Sequence, residues 1–158
     1  MYQKGDKIVY PLYGAGIIEE LEIKEIDGDN QTYYVLIIPI GNLKIMISAA
    51  KAELQRVRLV HGKDEIHHIL SDAQKAVISM PENWNQRYKE NMERIKTGDL
   101  IQVGIVFFNL LQRERERGLS TAEKKMMTTA KQIILSELIL GLDISKQDAE
   151  ELLDRPFM

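Results

Sequence analysis

The residues best suited to chemistry in this chain are one tryptophan and the cations around it. The stretch from Asn83 to Lys96, NWNQRYKENMERIK, holds the only tryptophan of 158 residues, together with Arg87, Lys89, Arg94 and Lys96. An indole can anchor a core, or it can stack against bases next to a negatively charged backbone. Trp84, Tyr88, Met92 and Ile95 recur at spacings of four, four and three, which places them on one helical face and favours the core. Trp84 also falls at the first turn of that helix, where unpaired N–H groups and the helix dipole attract anions. Arg87 and Lys89 occupy neighbouring faces there. Spacing alone leaves both readings open.

Other reactive residue types do not converge. His67 and His68 are adjacent, so on a helix they diverge by about 100° and cannot clamp one metal as an i, i+4 pair does. YGAGIIEE (13 to 20) lacks the third glycine and the strand-helix-strand setting of a dinucleotide loop. Ser120 has no nucleophile-elbow surroundings. Glu19-Glu20 and Glu150-Glu151 are consecutive pairs that point apart. There is no cysteine, which removes thiolate zinc sites and thiol nucleophiles. The expectation is a protein that is not an enzyme and holds no metal or cofactor.

The elements that must position these residues change period near residue 60. Residues 1 to 60 read as short strands: KIVY (7 to 10), GAGIIEELEIKEI (14 to 26), QTYYVLIIPI (31 to 40), LKIMIS (43 to 48) and RVRLV (56 to 60). Asp27-Gly28 and Gly41-Asn42 punctuate them as hairpin turns. Five short strands suit a small, bent SH3-like or Tudor-like β-barrel. Beyond residue 61 the period is helical, with helices expected over 63 to 76, from Asn83 to Gly98, over 99 to 118, from Ser120 to Gly141, and from Ser145. Ser120 with Glu123 has the capping-box spacing. The fold class expected is therefore α+β, with a barrel domain at 1 to 60 and an all-helical domain of about five helices at 61 to 158.

A hydrophobic content of 44% supports a real core, and no apolar run approaches the length of a membrane span or leader. A soluble cytoplasmic monomer is expected. The net charge of −3 hides local asymmetry. Residues 83 to 96 carry four cations against two acids, residues 113 to 131 six against three, and the tail 143 to 158 two against five. Basic faces of this kind are commonly just solvated, but they also mark partner choice.

Four stretches together carry a resemblance: GDKIVYPLYGAG, YYVLIIP with LKIMIS, NWNQRYKENMERIKTGD, and RERGLSTAEKKMM. They resemble the CarD/CdnL family of bacterial transcription regulators, from about residue 3 to residue 153. VYPxxGxG is shared with the polymerase-interacting module of transcription-repair coupling factors, whereas WNxRYxxxxxxIKTG followed by RGLSxxExxM is more specific. The resemblance implies a Tudor-like domain docking on the β subunit of RNA polymerase and a helical domain touching the minor groove of promoter DNA with weak sequence preference. It implies that Trp84 acts as a wedge at the upstream edge of the melted region, stabilising the open promoter complex. Arg87 and Lys89 would follow as the motif's cations, and Lys124 and Lys125 match the basic pair after GLSxxE, in the basic stretch that ends at Lys131. On the polymerase side, Lys24 matches a basic barrel position, while Met46 stands where some members have arginine. Gln86 likewise replaces a basic residue of some relatives. The rival reading is a protein-only adaptor whose basic faces are solvated and touch no DNA.

Overall fold

The computed structural model describes residues 1–155. Five strands, β1 (Lys7–Tyr10), β2 (Gly14–Ile26), β3 (Asp29–Ile38), β4 (Leu43–Ser48) and β5 (Arg58–Leu59), form one antiparallel sheet in the order β4-β3-β2-β1-β5. The fold is α+β, as the change of period predicts. The ladder ends on β4 and β5, so these are the two edges of a curved sheet. Curvature has a local cause in a register shift between Ile18 and Glu20 on β2, because a bulge bends and twists its strand. The Asp27-Gly28 turn takes positive φ at both residues, 53° and 83°, as a tight two-residue hairpin demands.

The concave face of the sheet buries Ile8, Ile18, Tyr34, Leu36, Ile38 and Ile47. Tyr34 hydroxyl accepts from the Tyr2 backbone N–H at 3.0 Å, and Tyr2 hydroxyl donates to the Val57 carbonyl at 3.1 Å. These bonds tie the N-terminal segment to the chain entering β5. The last strand is shorter than the RVRLV pattern suggests. A four-residue helix, α1 (Ala49–Ala52), precedes it, and the Val57 N–H is spent on the Ala52 carbonyl instead of on a neighbouring strand.

Five helices follow: α2 (Lys63–Lys75), α3 (Trp84–Lys96), α4 (Leu100–Arg117), α5 (Thr121–Leu142) and α6 (Lys146–Leu153). Asn83, Ser120 and Ser145 cap α3, α5 and α6 by accepting from the N–H three residues on. The core they share centres on α4, where Val103, Val106 and Leu110 are fully buried, and on Ile134 and Leu138 of α5. None of the described helices is long and apolar enough to cross a membrane.

The C-terminal half of α5 is buried almost continuously from Ile133 to Leu138 because two layers claim it. One side faces the helices; the other seats the sheet. Val9 and Ala15 on the convex face of β1 and β2 pack against Leu140, and the Ala15 N–H donates to Ser136 Oγ at 2.8 Å. Gly14 makes this approach possible. A Cβ there would lie 2.7 Å from Ser136 Oγ, and its φ of 111° disfavours any side chain. Ile40, between β3 and β4, touches the cores of both layers.

Candidate nucleic-acid interface

Trp84 is the first residue of α3, directly after its Asn83 cap, and its side chain is 51% exposed. The buried stripe of this helix is not the apolar one that spacing suggests. It runs Arg87, Asn91, Ile95, with Tyr88 and Met92 only partly buried beside it. Trp84 falls on the wheel between Asn91 and Ile95, within this stripe, so its exposure comes from its place at the helix start and not from a turn away from the buried face. The tryptophan is thus neither sealed in the core nor wholly free: about half of its surface meets solvent.

Arg87, expected as a DNA-contacting cation, is instead an interior residue, only 5% exposed. Its Nε and Nη2 bind both carboxylate oxygens of Glu123 at 2.6 and 3.0 Å, and Nη1 donates to the carbonyls of Pro81 and Glu82, each at 3.0 Å. Glu123 is 1% exposed and closes the capping box by accepting from Ser120 Oγ at 3.0 Å. The Arg87 hydrogen bonds hold the Glu123 carboxyl below the usual carboxylate range, assisted by the Ser120 bonds and opposed by burial. The guanidinium is correspondingly raised above its ordinary value, mainly by its bonds to Glu123. A buried charge of this kind persists only because it is paired.

This pair ties together the N-termini of α3 and α5, and with them the segment leading into Trp84. Lys124 and Lys125, in the first turn of α5, are exposed directly beside Glu123. The basic end of α4 reaches the same region, where Arg117 lies 3.9 Å from Glu82. The Arg87–Glu123 pair therefore brings together two helix N-termini, one starting at the half-exposed Trp84 and the other followed by exposed Lys124 and Lys125, an arrangement that can attract phosphates. Lys131 is half-buried, two turns along α5 on the same stripe as Lys124. Lys89 is exposed, but it sits about 140° around α3 from Trp84.

On the sheet, Lys24 and Met46 come together although they are on strands separated by β3. Lys24 Nζ is 3.6 Å from Met46 Sδ and 5.7 Å from the Tyr33 ring centroid. Both side chains are exposed on the convex surface, so the methionine shares one small patch with the lysine. His68 pairs with Asp72 at 3.4 Å on α2. Ser120 is the α5 cap.

Sequence reasoning placed Glu123 in its capping box but missed its second role. The local signal was present. The long-range partner was not readable, because nothing in either helix alone says that position 87 faces position 123.

Residues 65–154 match the family described as "CarD, C-terminal domain", and residues 2–60 match the family described as "CarD-like/TRCF RID domain". A protein of Bacillus subtilis (strain 168) described as "Putative transcription factor YdeB" is 38% identical over 138 residues, covering 87% of this chain and 90% of that protein.

Proposed function

Since the chain belongs to the CarD-like family of transcription factors, we propose that it bridges RNA polymerase and promoter DNA and stabilises the open complex. The sheet, as a domain spanning residues 1 to 60, docks on the polymerase β subunit through the patch that includes Lys24 and Met46. The helical domain, residues 61 to 158, meets the minor groove at the upstream edge of the melted region. The work takes place in the bacterial cytoplasm, by a monomer.

The observation that carries this reading is the half-exposed Trp84 at the start of α3, a helix tied through Arg87 to Glu123, the residue directly before exposed Lys124 and Lys125. Few cations surround it, and few are needed. Docking on polymerase makes the DNA contact intramolecular, with an effective concentration of order millimolar. With about three phosphate contacts, each adding about −0.9 to the salt slope, DNA binding by the free protein is weak and steeply salt-dependent. Unstacking a base step costs a few kcal/mol, so an indole prefers a junction where the bases are already parted. Only that difference in affinity between open and closed DNA shifts the equilibrium, and about 1.4 kcal/mol gives tenfold.

Trp84→Ala tests the proposal. The melting temperature and polymerase affinity stay at parental values, and the lifetime of the open complex falls about tenfold. An unchanged lifetime, or a melting temperature lowered as for a lost core residue, rejects it.

A further inference from the structure

Among the described residues one ion pair joins the two layers, and the DNA reading makes no use of it. Arg58, on the edge strand β5, donates from Nη1 and Nη2 to both oxygens of Glu137 on α5, at 2.8 and 2.7 Å. Glu137 is 1% exposed and accepts a third bond from the His61 N–H at 2.9 Å. The same guanidinium donates from Nε to the carbonyl of Gly98 at 3.0 Å, in the turn where α3 ends and α4 begins. One side chain thus holds the C-terminal half of α5 and the turn that follows α3.

We propose that Arg58 and Glu137 are positioning residues that fix the angle between the sheet and the α3–α5 pair, and so set where Trp84 and Lys124 stand relative to whatever the sheet binds. The functional half of this statement rests on the bridge reading above. Three features of the junction support it. The apolar contact of Val9 and Ala15 with Leu140 is non-directional, and the single bonds from the Ala15 N–H to Ser136 Oγ and from Lys7 Nζ to the Leu140 carbonyl each fix one distance, whereas a bidentate fork constrains both distance and orientation. The pair is buried at Glu137 and about a quarter exposed at Arg58; such a pair adds little net stability compared with apolar side chains of similar volume, and fixing a unique arrangement is one attested use of it. Finally, the geometry supplies leverage. Trp84 lies twelve residues before Lys96 on α3, and Lys124 lies thirteen before Glu137 on α5, so each tip is about 20 Å from the latch. A tilt of about 10° at Arg58 moves those tips by about 3.5 Å, roughly the rise of one base along a strand. A wedge displaced by one step meets stacked bases.

The chain has no cysteine, so paired spin labels can be placed without removing any. With Gln31→Cys on β3 and Glu93→Cys on α3, both exposed, the parent gives one narrow distance population. Arg58→Met with Glu137→Met replaces the fork by apolar side chains of similar reach. In that background, with parental circular dichroism and a cooperative melt, the distance distribution broadens. Affinities for polymerase and for free DNA stay within about twofold, while the open-complex lifetime falls about tenfold. Glu137→Gln, which keeps an acceptor for His61, is the milder variant should the double one melt without cooperativity, and it broadens the distribution less.

A distribution as narrow as the parent's in either cooperatively melting variant overturns the proposal. A broadened distribution with an unchanged lifetime also overturns its functional half, provided that Trp84→Ala still shortens the lifetime. If neither Trp84→Ala nor the latch variants alter the lifetime while the distance broadens, the bridge reading fails and the positioning role stands.

Discussion

Replacing Arg87 by alanine separates an interior role from a DNA-contacting one. In the native protein the guanidinium satisfies both oxygens of Glu123 and the carbonyls of Pro81 and Glu82. Truncation leaves a carboxylate that is 1% exposed with only its Ser120 bonds. Breaking a buried pair on one side costs about 3–5 kcal/mol. The two released carbonyls lie in a segment open enough for water to reach, so they add little. For a chain of this length each kcal/mol lowers the melting temperature by about 2–4 °C, giving a drop of about 6–20 °C. Such a loss is a large part of the roughly 5–15 kcal/mol that holds a typical domain together. Lys89→Ala, on an exposed face of the same helix, stays within about 0.5 kcal/mol. Thermal melts followed by circular dichroism at neutral pH, with urea titration as a second measure, provide the numbers. If Arg87→Ala melts within about 2 °C of the parent and only DNA binding suffers, the interior assignment is wrong.

Two further outcomes follow from the same site. Lys124→Glu with Lys125→Glu weakens DNA binding by the polymerase-bound protein and makes its salt slope shallower by about 1.8; an unchanged slope removes these lysines from the interface. Glu123 gives stability a pH dependence of known sign. Its folded-state pKa lies below the ordinary 4.5, so its contribution is complete above that value and is lost as pH falls through the lower, folded-state value. Between about pH 5 and pH 3 the melting temperature of the parent should therefore fall more steeply than that of Glu123→Gln. Parallel acid limbs would show that the carboxylate is not held ionised by Arg87.

Much of the architecture could be read from short-range pattern, and the exceptions share a cause. The limits of β1, β2 and β4 and the caps at Ser120 and Ser145 follow from alternation, turn residues and cap spacing, which act within a few positions, whereas β3 runs from Asp29 to Ile38 instead of over 31 to 40. The four-residue α1 escaped because Ala49 to Ala52 is too short to show a period. Strand β5 was overestimated because Val57 prefers Ala52, a local competition invisible to hydropathy. The buried stripe of α3 was misplaced by one residue. A reader of sequence ranks Arg87 and Asn91 as solvent-facing, and only the distant Glu123 makes an arginine affordable inside. Lys24 and Met46 sit 22 positions apart, and their meeting depends on a register fixed by the bulge at Ile18.

The bond between Ala15 and Ser136 spans 121 positions, and this separation orders events during synthesis. Residues 2 to 60 emerge from the ribosome with everything the concave core requires. Their helical seat, α5, is by then still untranslated. Until Leu140 has been made, Val9 and Ala15 lack the side chain that covers them, and any sheet formed by then carries a transient sticky surface of the kind that invites misassembly. Joining the layers closes a very long loop, so it belongs among the late, slow steps of folding. A ribosome stalled before α5 is complete would release a sheet whose convex side has nothing to cover it.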